Sequence, residues 1–144
     1  MAKSASVDSA HKDASPTVEL RVKADADQLS VLRAVAAAIA LQHDLDLDTV
    51  EDVKLAVDEA ATRLIVNSVE LSTLLCSFQV SPTGVKISLS APTRPDAPTR
   101  QPRSFGWHVL NSLTDSVSVS SGVDERGDTV STIEMAISDR SAAR

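Results

Sequence analysis

The sequence predicts an α/β two-layer sandwich: a mixed, mainly antiparallel sheet with helices packed on one of its faces. Every strand-like segment alternates apolar and polar residues, so each strand has one wet face. None is the continuous apolar run that a sheet buried on both faces requires. The helical segments carry apolar stripes at three- to four-residue spacing, which suits them to cover the dry face. The order is β-α-α-β-β-loop-α-β-β, and 144 residues fit one domain with a real core.

Residues 1–16 are small, polar and rich in Ser and Ala, which predicts a disordered tail. TVELRVK alternates Val18, Leu20 and Val22 against polar neighbours, a half-buried strand. Asp25 or Asp27 suits the cap of the first helix, whose stripe is Leu29, Leu32, Val35 and Ile39. HDLDLD reads as an acidic connector, with Asp48 or Thr49 opening the second helix. That helix carries Val50, Val53, Val57, Ala60 and Leu64 on one face and runs to about Asn67. TLLCSFQV and VKISLS alternate on either side of SPTG, a hairpin whose Gly84 is expected to supply a positive φ. The following stretch, 92–103, is dense in proline, which blocks helix and central strand and predicts a loop carrying Arg94, Arg100 and Arg103. SFGWHVLNSLTD predicts a third helix with Ser104 as cap and Phe105, Val109 and Leu113 on its stripe. SVSVSS, the turn GVDERGD and TVSTIEMAI complete the sheet, and residues 139–144 read as a flexible end.

Bulk properties exclude several classes of function. Three aromatic residues, Phe78, Phe105 and Trp107, leave the core to Val, Leu, Ile and Ala. A net charge of −6 argues against nucleic acid and suits a partner with basic segments. One cysteine, Cys76, forms neither an internal disulfide nor a cysteine metal cage, which points to a reducing compartment. No apolar run reaches the roughly 18 residues of a membrane span, and the start of the chain has no apolar signal core. The expected location is therefore the cytoplasm.

The element order, with VEDVKLAVDEAATRLI on the second helix and SFGWHVLNSLTDSVSV after the long loop, resembles the RsbW-type anti-sigma factors of the GHKL superfamily, which includes the histidine kinases. The strings VDE-x-x-TRLI and SF-x-WHVL are most similar to the mycobacterial branch that restrains the SigF sigma factor. The resemblance covers residues 17–138 and implies a GHKL (Bergerat-like) ATPase domain. It further implies a homodimer that holds a SigF-like sigma factor away from RNA polymerase, and an anti-anti-sigma protein that competes to free it. The first helix and nearby strand would then form much of the dimer and sigma-binding surface. In most members the regulator also uses ATP and Mg²⁺ to phosphorylate a serine on its antagonist.

Residue by residue, the resemblance implies a degenerate nucleotide pocket. The second helix of the family carries Glu-x-x-x-Asn, the Glu aiding phosphoryl transfer as a base and the Asn oxygen ligating Mg²⁺. Glu59 matches the Glu as the implied catalytic residue, and Arg63 stands at the Asn position. A guanidinium offers only donors, whereas Mg²⁺ takes oxygen ligands. No metal ligand is therefore expected. The Asp that reads the adenine amino group falls on Ala91, and the first glycine after it falls near Thr93. Of the glycine-rich turn that cradles phosphates, only Gly106 remains, followed by Trp107. Arg63 and Gly106 are thus the vestigial cofactor-binding positions. One alternative stays open: Arg63 pairing directly with phosphates in place of the metal.

Bland readings stand beside these. Glu59 and Arg63 also fit an exposed i,i+4 pair. Cys76 fits a buried structural thiol, and Phe105 fits the core. His108 fits a packed helix-start histidine, and His43 a solvated one. Asp115 fits a helix end, and Trp107 either an interface or a filler of the vacated pocket. Two function classes follow: a sequestering anti-sigma factor with no cofactor, and an ATP-dependent serine kinase acting on the anti-anti-sigma protein. A generic ligand-binding domain is the third and weaker reading.

Overall fold

The computed structural model describes residues 16–96 and 104–140. The expectations for residues 1–15, for the Pro/Arg loop at 97–103 and for the end beyond residue 140 lie outside the described residues. The elements run β1 (Val18–Lys23), a single 3₁₀ turn (Ala26–Gln28), α1 (Leu29–Gln42), α2 (Leu47–Val66), β2 (Thr73–Ser81), β3 (Gly84–Pro92), α3 (Phe105–Leu113), β4 (Ser116–Val123) and β5 (Thr129–Ser138). The five strands form one sheet in the order β1-β2-β3-β5-β4. Every neighbouring pair is antiparallel. The chain leaves β3, passes through α3 to the sheet edge at β4, and returns to the middle with β5.

Alternation decides which face is covered. Leu74, Cys76 and Phe78 of β2, Val85, Ile87 and Leu89 of β3, and Ile133, Met135 and Ile137 of β5 are all buried on one side. Their partners on the other face, such as Lys86 and Glu134, are exposed and sit among serines. The dry face is roofed by Leu32, Ala36 and Ile39 of α1 and by Val53, Val57, Ala60 and Leu64 of α2. Each large aliphatic side chain buried there contributes roughly 1.5–3 kcal/mol against exposure. Phe78 is the aromatic residue in this layer.

Several local expectations change. α2 starts two or three residues earlier than expected, with Asp46 as its cap: the Asp46 carboxylate accepts from Asp48 N at 3.1 Å. Thr49 is buried inside the first turn, where its hydroxyl accepts from Arg140 N at 3.1 Å. Asp139, also buried, accepts from Asp46 N at 3.1 Å. The chain's last described residues therefore hold the start of α2. Asp25 caps the 3₁₀ turn rather than α1 itself.

Gly84 does not supply a positive φ; among the described glycines only Gly127 does. Gly84 is instead the first residue of β3, opposite Ser138. A side chain there would run into the Ile137 carbonyl, with Ser138 Cα at 2.9 Å. Phe105 is not core: it is 83% exposed. The nine-residue α3 turns Leu110 inward, with Trp107 and Leu113 packed at the core margin three residues to either side. The inward stripe is thus 107-110-113, out of phase with Phe105. That phase also leaves His108 exposed rather than packed.

Candidate functional site

α2 and α3 meet at the end of the core, and the three residues singled out by sequence meet at that seam. Glu59 and Arg63 lie one turn apart on α2, both half-buried. Gly106 is the second residue of α3, and it abuts both. A Cβ on Gly106 would collide with Glu59 Oε2 and stand 3.0 Å from Glu59 Cδ and 3.4 Å from Arg63 Nη1. The absence of a side chain at 106 leaves the space that the Glu59 carboxylate occupies.

Ser104 makes the seam specific. Its Oγ accepts from Trp107 N at 3.1 Å, which caps α3, and from Arg63 Nη1 at 2.9 Å. The guanidinium carbon also lies 5.5 Å from the centre of the Trp107 ring, a cation–π contact. Burial presses the Arg63 pKa below the ordinary arginine value, and the attraction of Glu59 opposes that fall. Arg63 remains a cation at any physiological pH.

The seam continues down the end of α2. Asn67 Nδ2 donates to the Arg63 carbonyl at 3.0 Å, and the Asn67 carbonyl accepts from Arg94 N at 3.0 Å. Arg94 is exposed and reaches back to the Val66 carbonyl at 3.3 Å. At the end of β3, Ala91 is buried opposite Ser131 of β5. The Thr93 and Ser131 hydroxyls, both buried, share a hydrogen bond of 2.7 Å. That pair satisfies itself and presents no carboxylate.

This donor set does not fit Mg²⁺-ATP as the family would hold it. The guanidinium at the metal-ligand position offers only N–H donors and a positive charge. Ala91 has no acceptor for an adenine amino group. The space before α3, where phosphates would meet backbone N–H groups, holds the Glu59 carboxylate and the Arg63 fork. Trp107 lies over that guanidinium, partly buried at the margin of the core.

Clefts also open elsewhere among the described residues. One of about 660 Å³ runs along the open face of the sheet over Gln79, Lys86 and Ala136, and one of about 580 Å³ lies at the sheet's end between the 69–72 and 124–128 loops. Neither gathers convergent catalytic groups. Among the described residues, no cluster of His, Cys, Asp and Glu suits a metal ion. Cys76 is fully buried, and burial pushes its thiol up to about 12, so it is an inert core group. His43 is exposed in the connector. Asp115 follows α3 and accepts from Ser138 N at 2.6 Å, which ties the helix exit to β5. No helix among the described residues is long and apolar enough to cross a membrane.

The sequence singles out Glu59, Arg63, Gly106 and the Ser104 cap, and the structure brings them together, but the sequence does not signal that Ser104 accepts from Arg63 as well. No pattern signals a contact across 41 residues of chain. The Asn67–Arg94 link was missed for the same reason.

Comparison with known proteins adds the following. The family model described as "Histidine kinase-like ATPase domain" matches residues 22–133. Proteins named anti-sigma-F factor RsbW, from two strains of Mycobacterium tuberculosis, are each 41% identical over 101 residues. The match takes in 69% of this chain and 59% of each relative's length. Among solved structures, the catalytic domain of the histidine kinase ThkA aligns over 83% of this chain and 97% of its own. The TM-score is 0.42 at 10% identity, a likeness too loose to place any residue.

Proposed function

This chain belongs to the histidine kinase-like ATPase domain family, and from that membership we propose that it is an anti-sigma factor with a degenerate nucleotide pocket. It binds a SigF-like sigma factor, keeps it from RNA polymerase, and is displaced by anti-anti-sigma proteins. It works in the cytoplasm as a homodimer, with residues 17–138 as the working unit. The similarity to proteins named anti-sigma-F factor supports the class. The net charge of −6 supports a partner with basic segments.

One observation carries the choice of sequestration over phosphoryl transfer. The Arg63 guanidinium, bonded to Ser104 and stacked on Trp107, stands at the position where the resemblance puts the metal-ligating Asn. The test is calorimetry of the purified chain with a SigF-like sigma factor, with and without Mg²⁺-ATP. The expected result is a stoichiometric complex whose Kd moves less than twofold with nucleotide and which an anti-anti-sigma protein dissolves. No complex at micromolar concentrations refutes the anti-sigma reading.

The retained Glu59, half-exposed beside a helix start, favours a second reading: an ATP-dependent serine kinase acting on the anti-anti-sigma protein. That reading requires transfer of labelled phosphate to the antagonist, abolished in Glu59→Ala.

A further inference from the structure

Two non-glycine residues among those described hold a positive φ, Asp44 at 57° and Leu71 at 61°. Aspartate tolerates that region, because its short polar side chain can bond locally. Leucine has no such compensation. Leu71 is also fully exposed, so its side chain adds nothing to the core. It sits in the turn 69–72, closed by Ser72 N donating to the Val69 carbonyl at 3.2 Å. Leu71 is the third residue of that turn, where a positive φ calls for glycine or asparagine.

The turn is held from both sides. Val69 N donates to the Pro92 carbonyl at 3.0 Å, and Ser68 bridges to Thr93. Ala24 N, just after β1, donates to the Ser72 carbonyl at 2.9 Å. The end of β3 and the end of β1 thus fix a strained backbone that turns an apolar side chain wholly to solvent. Strain of this kind persists where the surrounding structure over-determines it, and it concentrates at functional sites.

The surroundings of Leu71 point to what meets it. Val69, also exposed, lines the same cleft at the sheet's end, opposite the turn 124–128. Glu70 adjoins Leu71, and the opposite turn carries Asp124, Glu125 and Asp128, all exposed. Arg21 and Arg126 stand against these four carboxylates. An apolar knob in a mainly acidic rim suits a protein segment that is both apolar and basic, and it repels nucleic acid. The Ala24 bond also ties the turn to the junction of β1 and α1. The patch is therefore continuous with the first helix and nearby strand, the surface to which the resemblance assigns sigma binding.

We infer that Leu71 is an anchor for the sigma factor: its side chain enters an apolar socket on that partner, beside basic residues that face Glu70. The inference rests on the anti-sigma reading and extends the contact to the turn between α2 and β2.

The experiment uses the full chain, with calorimetry against a purified SigF-like sigma factor and thermal unfolding in parallel. Leu71→Gly removes the side chain and suits the positive φ. Its Tm should stay at or above that of the parent while Kd rises at least tenfold. Leu71→Asn, which also accepts this backbone, should weaken binding likewise. Glu70→Lys should weaken it by reversing the charge beside the knob. Leu47→Ala, equally apolar and exposed but at the far end of α2, should leave Kd within twofold. A Kd within twofold of the parent for Leu71→Gly overturns the anchor and leaves the anti-sigma reading standing. A Tm several degrees lower overturns it too, because Leu71 would then serve the fold. So does equal weakening by Leu47→Ala, or tighter binding by Glu70→Lys. Loss of a homodimer in Leu71→Gly by sedimentation equilibrium would assign the residue to a second copy and also overturn it. A parent chain that binds no sigma factor refutes the anti-sigma reading and the anchor with it.

Discussion

Replacing Arg63 by Asn restores the residue that the family pattern carries at that position, and the structure says what this costs. The guanidinium donates to Ser104 Oγ at 2.9 Å, and a hydrogen bond with a charged partner contributes about 1.5 kcal/mol net at the lower end of its range. Its stacking on Trp107 adds roughly 0.5–1 kcal/mol. The Ser104 cap on Trp107 N survives the change, because its donor is the backbone of α3. The loss is therefore about 2 kcal/mol, and at roughly 3 °C per kcal/mol for a domain of this size Tm should fall by about 6 °C. Trp107 is the chain's one tryptophan and lies against the altered side chain, so thermal unfolding followed by its fluorescence reads stability and local environment together. Restoring Asn does not give Ala91 an acceptor, so Mg²⁺-ATP is expected to leave that fluorescence unchanged in the variant as in the parent. A Tm within about 1 °C of the parent, with the same emission, would show that Arg63 does not hold the seam. A saturable response of the parent protein to Mg²⁺-ATP would sink the degenerate-pocket reading itself.

Three further predictions probe the scaffold around that seam. Gly84→Ala forces a Cβ into the β5 backbone at Ile137 and Ser138, which cannot rotate away as a side chain would. A loss of about 2 kcal/mol is expected from urea unfolding. Asp139→Ala removes the acceptor of Asp46 N at the start of α2 and should cost about 1–2 kcal/mol by the same measurement, the scale of a lost helix cap. Cys76 supplies a pH signature. Its thiol is raised from 9.0 when unfolded to about 12 when folded, so the native state favours the neutral form. That stability is whole below about pH 9 and drains as pH climbs toward 12, by about 1.4 kcal/mol per pH unit. Subtracting the profile of Cys76→Ala isolates the slope, and a difference flat from pH 8 to 11 would contradict the burial of the thiol.

The strands were legible because their signal is local. Val18, Leu20 and Val22, or Ile133, Met135 and Ile137, announce a wet and a dry face by parity alone, and the sheet has one of each. α1 and α2 announced themselves through stripes long enough to fix a phase. α3 did not. Over nine residues, Phe105-Val109-Leu113 and Trp107-Leu110-Leu113 are both helical stripes, and only the position of α2 selects the second. The start of α2 failed similarly. Asp46, Asp48 and Thr49 are all good caps in isolation, and what separates them is Asp139, at the far end of the chain. Gly84 was assigned to the right place for the wrong reason, because the approach of β5 leaves no trace in SPTG.

The site divides along the same line. Type and position of residue are readable: a Glu, an arginine one turn later, and one glycine before an indole. What the substitution built was not readable, because it is made between elements. A lost metal ligand alone would leave an open pocket with one wrong wall. Here the arginine bonds the cap of the facing helix, the indole packs on its fork, and the lone glycine admits the Glu59 carboxylate between the helices. Two of the departures from the family pattern, Arg63 and Trp107, are thereby partners of each other. On the reading proposed above, a single reversion at Arg63 opens the seam but leaves Ala91 and Trp107 as they are.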